Sequence, residues 1–409
     1  MPRLRLDVPL WLDKGAAARQ VRFGSLEHGI EADIAVVGGG ITGAAIAWRF
    51  ARAGARVVLV EAARIGRGST AASTALLMQE PDEDFAILAD RYGAASATRI
   101  WQLSIEATRE LVSTLTRLRI TCDLVRRDSV YYAQTTEHIR RLRDEHRQRL
   151  GAGFGGRWLE PGAVRRAIGF EAPGAIRTRG NAQIDPFKAC VGLLREAARR
   201  GARIFEQSPV VATHATQTGV AVETARACVR AERVIVATGY ATPFFKPLEA
   251  RFRMMNTYVI ATAPLTPAER RRVGLGAVMT WDTDRPYHYA RWAPDHRLLF
   301  GGGDRPMITG ARRAAAFEHG ARELRDHFVR LYPSLADVKF EYRWEGLFAK
   351  TPDGLPYIGP HRRYPRHLFA LGYGGNGMTF GFLASRLLLE HCSNGSSPDQ
   401  ALFAFSRHR

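Results

Sequence analysis

One stretch constrains everything else about this chain. Asp33-Ile-Ala-Val-Val-Gly-Gly-Gly-Ile-Thr-Gly-Ala-Ala-Ile-Ala-Trp48 runs on to Gly54-Ala-Arg-Val-Val-Leu-Val-Glu61. It reads as a short apolar strand, a glycine turn, a helix, a return strand and an acidic residue, the order of a dinucleotide-binding βαβ unit. Gly38, Gly40 and Gly43 occupy the G-x-G-x-x-G positions. Gly38 permits the sharp turn, Gly40 carries no Cβ to hold a pyrophosphate away, and Gly43 lets the helix lie close on the strand. Ile41 and Thr42 begin the helix, where unpaired N–H groups and the positive dipole end favour phosphate. Gly54 stops the helix. Glu61 ends the return strand, where a carboxylate can accept hydrogen bonds from ribose hydroxyls.

Later segments select the dinucleotide. The loop from Ala62 to Ala75 is rich in small and hydroxyl residues and includes Arg67, Gly68, Ser69 and Thr70. It can lie against a pyrophosphate and a flavin ring, although alone it also fits an ordinary Gly/Ser surface loop. A strand at 210–212 brings Val211 back towards the sheet. Another strand ends in Ala237-Thr238-Gly239, where a small turn permits close backbone approach to a ligand. Near the C-terminus a strand at 367–371 feeds Gly372-Tyr373-Gly374-Gly375-Asn376-Gly377-Met378, and an apolar helix follows. So many separate pieces suit one long ligand, FAD, better than a nicotinamide cofactor on a single N-terminal unit.

These residues resemble the D-amino-acid oxidase/sarcosine oxidase group of FAD-dependent oxidoreductases, notably the bacterial branch that includes γ-glutamylputrescine oxidase. The most specific parts are the first βαβ unit with Glu61, the helix start Asp185-Pro-Phe-Lys188, Ala237-Thr238-Gly239, Thr351-Pro-Asp-Gly-Leu-Pro-Tyr-Ile-Gly359 and the 372–378 turn. The resemblance spans nearly the whole chain. It implies an α/β fold: a Rossmann-like FAD-binding domain with a second, substrate domain built on an antiparallel sheet. It places Phe348 at a position that faces substrate in sarcosine oxidases, and Gly346 where some relatives carry a flavin-linking Cys. The absence of that Cys implies noncovalent FAD. The small-residue form of the 68–75 segment departs from the branch's Gly-Arg-Asn-rich form and argues against a γ-glutamylputrescine substrate.

A length of 409 residues suggests two interleaved domains. The expected division is a leader over 1–32, an FAD domain over 33–80, 181–240 and 345–409, and a substrate domain over 81–180 and 241–344. Helices are expected over 82–118, broken near Gly93, and over 135–150 and 311–332. A further helix opens with Asp185 as N-cap and Pro186 at N1. Alternating strands at 254–262, 277–281, 286–292 and 297–302 predict the second sheet, with Ala293-Pro-Asp-His296 as a hairpin turn.

The formal net charge is +19 and almost all the cations are Arg. Dense runs such as Arg270-Arg271-Arg272 could attract nucleic acid, anionic membrane or an acidic substrate. Solvated helix faces explain them better, because no aromatic-interleaved basic motif occurs. No specific nucleic-acid partner is therefore expected, and weak peripheral membrane contact stays open. No apolar run approaches the ~20 residues of a membrane span, and Asp7 and Asp13 interrupt any signal-peptide core. Four scattered cysteines fit reduced thiols in a cytoplasmic protein. The twelve histidines show no metal-ligand spacing, so no metal is expected.

Flavin amine oxidation asks the protein to position a C–H bond and to stabilise charge developing on the cofactor. Gly374, Gly375, Asn376, Gly377 and Met378, at a helix start, suit the second task. For the substrate wall, Tyr287, Tyr289 and Arg291 share one strand face, and the guanidinium can bind a carboxylate. Solvent-facing side chains on an exposed sheet are the alternative. Tyr258 on a neighbouring strand, Trp344 and Tyr373 are further wall candidates, with core packing as the rival. Lys350 either assists oxygen near the flavin or is a surface lysine. The expected function is oxidation of a C–N bond of a small-molecule amine or amino acid to an imine by hydride transfer to flavin N5, with oxygen or another electron acceptor. The alternatives are a FAD-dependent dehydrogenase of a hydroxy acid or polyol phosphate, and a FAD-binding redox sensor or scaffold with a basic surface.

Overall fold

The computed structural model describes residues 4–13 and 22–407; the expected leader's residues 1–3 and 14–21 lie outside them. Two sheets organise the chain. The first runs in the order Tyr357–His361, Tyr364–Leu371, Cys228–Gly239, Ile30–Val37, Val57–Val60, Arg203–Phe205, with Val220–Thr224 attached to Cys228–Gly239 and Val210–Ala215 attached in turn to Val220–Thr224. Its central neighbours pair in parallel. A parallel sheet is covered on both faces, so its strands read as unbroken apolar runs. Val57–Val60 is buried at every position. Helices Ile41–Arg52, Pro186–Arg199 and Gly377–Asn394 pack on one another over this sheet. Asp185 caps the second of them through the Lys188 N–H at 2.9 Å.

The second sheet has ten strands in the order Arg5–Leu6, Phe340–Lys350, Arg253–Thr262, Leu298–Pro306, His288–Trp292, Val278–Asp282, Val125–Tyr132, Ala175–Gln183, Leu76–Leu77, with Arg157–Leu159 beside Ala175–Gln183. It is antiparallel except between Val278–Asp282 and Val125–Tyr132, which pair in parallel. The sheet is thus mixed where alternation alone implied an antiparallel one. Helix Arg312–Leu331 covers its outer face with Phe317, Leu324 and Phe328, packed among Tyr258, Ile260 and Phe300. The inner face is left for a cavity.

Several strands run across the expected domain limits. Leu76–Leu77, the end of Ala175–Gln183 and the end of Phe340–Lys350 all belong to the second sheet. Arg5–Leu6 pairs with Glu345 and Gly346, so this part of the expected leader is a sheet edge.

Candidate flavin and substrate site

A single cavity runs from the C-terminal ends of the parallel strands to the inner face of the second sheet. Its first end is the glycine turn. Gly38 has φ 112°, and a Cβ there would lie 2.7 Å from the Ala237 carbonyl oxygen. A Cβ on Gly43 would collide with the Gly38 carbonyl, so the first helical turn can sit on the strand only because this residue is glycine. Gly43 thus shapes the turn from beneath and does not line the cavity, whereas Gly38, Gly40, Ile41 and Thr42 do. Gly40 is the N-cap and has no side-chain cap, so the helix start depends on other partners. One is Thr70, whose Oγ1 accepts from the Ile41 N–H at 3.0 Å.

Glu61 and Ala62 line the same end. The Glu61 carboxylate accepts from the Gly39 N–H at 2.7 Å and the Ala63 N–H at 2.9 Å. Each oxygen keeps a lone pair for a hydroxyl donor. Burial pushes this carboxyl above its ordinary range, against the pull of the backbone donors. Gly68, Ser69 and Thr70 form the next part of the wall, and Ser69 Oγ donates to the Leu347 carbonyl across to the second sheet at 2.6 Å. Arg67 does not line the cavity; Arg64 does, and it pairs with Glu206 at 3.0 Å. Val211 also misses. It is 48% exposed, while its neighbour Val210 is buried and faces the cavity, because adjacent strand residues point to opposite faces.

Thr238, Gly239 and Gly346 continue the wall, and Gly374, Gly375, Asn376, Gly377 and Met378 close the middle. A Cβ on Gly346 would come 2.9 Å from the Ala72 Cβ, so glycine lets the two segments touch. Asn376 Nδ2 donates to the Met78 and Glu80 carbonyls at 3.2 and 3.0 Å, fixing the turn before helix Gly377–Asn394. The Gly375 N–H donates to Asp82. The glycine cradle, a helix start whose N-cap is glycine, a strand-end carboxylate and a second helix start on one cavity fit FAD. Among the described lining residues there is no Cys and no His.

The second end lies against the inner face of the second sheet, where the substrate wall is expected. Tyr287, Tyr289, Phe348 and Tyr373 line it, joined by Trp281, Thr257, Asp82 and Asp304, which sequence reasoning did not place there as site residues. The Tyr289 ring lies over Gly301 of the next strand, where a Cβ would collide with it. Its hydroxyl is 3.5 Å from Thr257 Oγ1. A Cβ on Gly375 would collide with the Tyr287 hydroxyl, so this tyrosine reaches the glycine turn. The Tyr373 hydroxyl donates to the Ala370 carbonyl, which leaves the ring to shape the wall.

Three expected catalytic residues are elsewhere. Arg291 does share its strand face with Tyr287 and Tyr289, but it lies beyond the cavity and is fully buried. Nε donates to the Thr74 carbonyl at 2.6 Å and Nη2 to the Ile184 carbonyl at 2.8 Å, with Trp11 5.0 Å away. Burial pushes the guanidinium down to about 9, so it stays protonated at neutral pH while clamping main chain. Tyr258 points to the opposite side, against Gly320 of helix Arg312–Leu331, and Thr257 faces the cavity in its place. Lys350 does not line the cavity. It is half-buried, and its charge draws down the carboxyls of Asp82 and Asp304. Of the core-packing rivals, Trp344 is wholly buried, its Nε1 donating to the Ala72 carbonyl at 2.8 Å.

Sequence spacing showed no metal cluster, yet the fold brings Asp282, His288 and His327 together with ligand atoms within 4.8 Å. The two imidazoles stack 4.0 Å apart at 13°, and His288 Nδ1 is 3.1 Å from Asp282 Oδ2. Nitrogen lone pairs lie in the ring plane, so stacked rings do not converge on one ion.

The cavity is acidic in a basic protein. Glu61, Glu80, Asp82 and Asp304 line it, against one cation among the described lining residues, Arg64, already paired with Glu206. Glu80 is tied by Ser129 Oγ at 2.8 Å and Asn181 Nδ2 at 3.0 Å. Burial pushes the Asp82 carboxyl up to about 6, and that of Asp304 upwards too.

A parallel sheet with a glycine cradle, sharing one cavity with a second, mixed sheet, has the architecture of an FAD-dependent oxidoreductase. The family model for FAD dependent oxidoreductases matches residues 33–391, and the chain belongs to that family. It is 30% identical over 382 residues to γ-glutamylputrescine oxidoreductase of Escherichia coli (strain K12), covering 92% of this chain and 87% of that protein. It is 26% identical over 352 residues to glycine oxidase of Bacillus licheniformis, covering 85% and 89%. The crystal structure of glycine oxidase from Geobacillus kaustophilus superposes with a TM-score of 0.78 at 22% identity, covering 93% of this chain and all of that one.

Proposed function

We propose that this chain oxidises the C–N bond of a small-molecule amine, with FAD held noncovalently in the cavity. The observation that carries the reading is the continuity of the glycine cradle with the wall of Trp281, Tyr287, Tyr289 and Phe348. Relatives named for oxidising γ-glutamylputrescine and glycine support it. Bound FAD supplies a two-electron acceptor. The substrate's α-carbon gives up a hydride, and its nitrogen lone pair forms the C=N bond. Water then adds to the iminium, giving a carbonyl compound and ammonia or a smaller amine. The oxidising equivalent is restored by oxygen or another electron acceptor.

The chain's own residues supply the setting. Glu61 and the helix start at Ile41 orient the cofactor. The aromatic wall excludes water and fixes the reacting carbon. The N–H groups of the 374–378 turn, at the start of a long helix, favour negative charge beside them. The acidic lining disfavours the hydroxy-acid and polyol-phosphate readings, which need cations in the cavity.

The test is the visible spectrum of the purified, FAD-loaded protein under anaerobic titration with amines, amino acids and hydroxy acids. Bleaching of the flavin bands by amines supports the reading. Bleaching by hydroxy acids alone overturns the reaction class, and failure to take up FAD overturns the cofactor site.

A further inference from the structure

Resting on the amine-oxidation reading, we propose that the substrate end of the cavity is a cation subsite. There Asp82 and Asp304 hold a second ammonium group of a diamine, and the chain thereby prefers diamines to α-amino acids.

Two observations carry this. The first is what lines the wall: Asp82 and Asp304 face the cavity beside the aromatic side chains of Trp281, Tyr287 and Tyr289. The second is what does not. Recognition of an α-carboxylate calls for a guanidinium or ammonium in the wall. The guanidinium best placed by strand alternation, Arg291, is spent on the Thr74 and Ile184 carbonyls. Arg64 sits at the Glu61 end and is paired with Glu206.

The surrounding charges leave room for a cation. Lys350, outside the cavity lining, acts on both carboxylates, and Glu83 adds negative charge near Asp82 that Arg285, 5.9 Å from the Tyr287 ring, partly offsets. His288 acts on Asp304 from the other side of the sheet, where it is matched by Asp282. With Lys350 offsetting one carboxylate, the other stays unmatched until a ligand brings a positive group. The Gly375 N–H holds Asp82 and Thr257 holds Asp304, so neither carboxylate is free to swing into solvent.

The experiment measures dissociation constants calorimetrically, under anaerobic conditions, on dithionite-reduced holoenzyme that cannot turn over. The probes are 1,4-diaminobutane, n-butylamine and glycine. The wild type is expected to bind the diamine at least tenfold more tightly than n-butylamine, and glycine more weakly than either. In Asp304→Asn the diamine-to-monoamine preference is expected to fall at least fivefold, with partial recovery in Asp304→Glu. Flavin absorbance in each variant establishes that FAD is retained. Equal affinity for diamine and n-butylamine in the wild type, or tighter glycine binding, overturns the subsite whether or not the variants fold. Flavin that no amine reduces, with diamine preference intact, instead overturns the amine-oxidation reading alone.

Discussion

At the scale of single residues, Arg291 shows how a side chain can satisfy a pattern and still serve another purpose. Alternation placed it on the face of Tyr287 and Tyr289, and the fold keeps it there, but the cavity ends before it. Arg291→Ala leaves the Thr74 and Ile184 carbonyls unpaired and opens a void beside Trp11. The expected loss is about 2–4 kcal/mol in urea unfolding of the holoprotein, with KM for the amine unchanged. A raised KM at unchanged stability would return this residue to substrate binding. Asp82 makes a prediction of the opposite kind. Its carboxyl is pushed up to about 6, so it is mostly protonated at pH 5 and ionised at pH 7.5. A diamine keeps its second ammonium charged across that range. Affinity for it is therefore expected to rise with pH, by up to about tenfold between those values, and the rise should flatten in Asp82→Asn. Calorimetric titration of reduced holoenzyme across the range checks it.

At the scale of elements, packing decides what glycine spacing can only suggest. The Gly38 carbonyl occupies the space that a side chain at position 43 would need. Gly43→Ala is expected to push helix Ile41–Arg52 off its strand, at about 1–3 kcal/mol, and to cost FAD retention, read as flavin absorbance after gel filtration. Retained flavin with unchanged unfolding would show that the turn can yield. The cradle was legible because its contacts are local: strand, turn, helix and acid lie within one continuous stretch. The capping box of Thr266 with Glu269 was equally readable, yet helix Pro267–Val273 went unassigned among the strands around it. Other features were not legible. Tyr258 was placed on the wrong face, where a register shift between Asn256 and Tyr258 interrupts the pairing with Leu298–Pro306. Asp82 and Asp304 meet only through tertiary packing. The clue to Asp304, the Gly301-Gly302-Gly303 run before it, takes meaning once Tyr289 is seen lying over Gly301.

At the scale of the whole molecule, charge is divided by location. The whole chain has a formal net charge of +19, yet four carboxylates line the cavity, so the excess of positive charge lies outside it. A long-range field acts on ligands before they touch the protein, and salt screens it over about 10 Å at 0.1 M. Charges inside the cavity act at contact and are screened far less. FAD approaches as an anion, so the basic surface should speed its encounter with apoprotein. Its association rate is expected to fall about 3- to 10-fold as salt rises from roughly 0.02 to 0.5 M. A dicationic substrate meets the same surface with the opposite sign. Its association with holoenzyme should quicken with salt over that range, even though the carboxylates that hold it are negative. Stopped-flow mixing, following flavin fluorescence for the first and flavin bleaching for the second, reads both rates. Opposite slopes require the exterior and the cavity to act as separate electrostatic regions. Parallel slopes would mean that the surface charge lies too far from the cavity mouth to be felt, and that the arginines serve solvation alone.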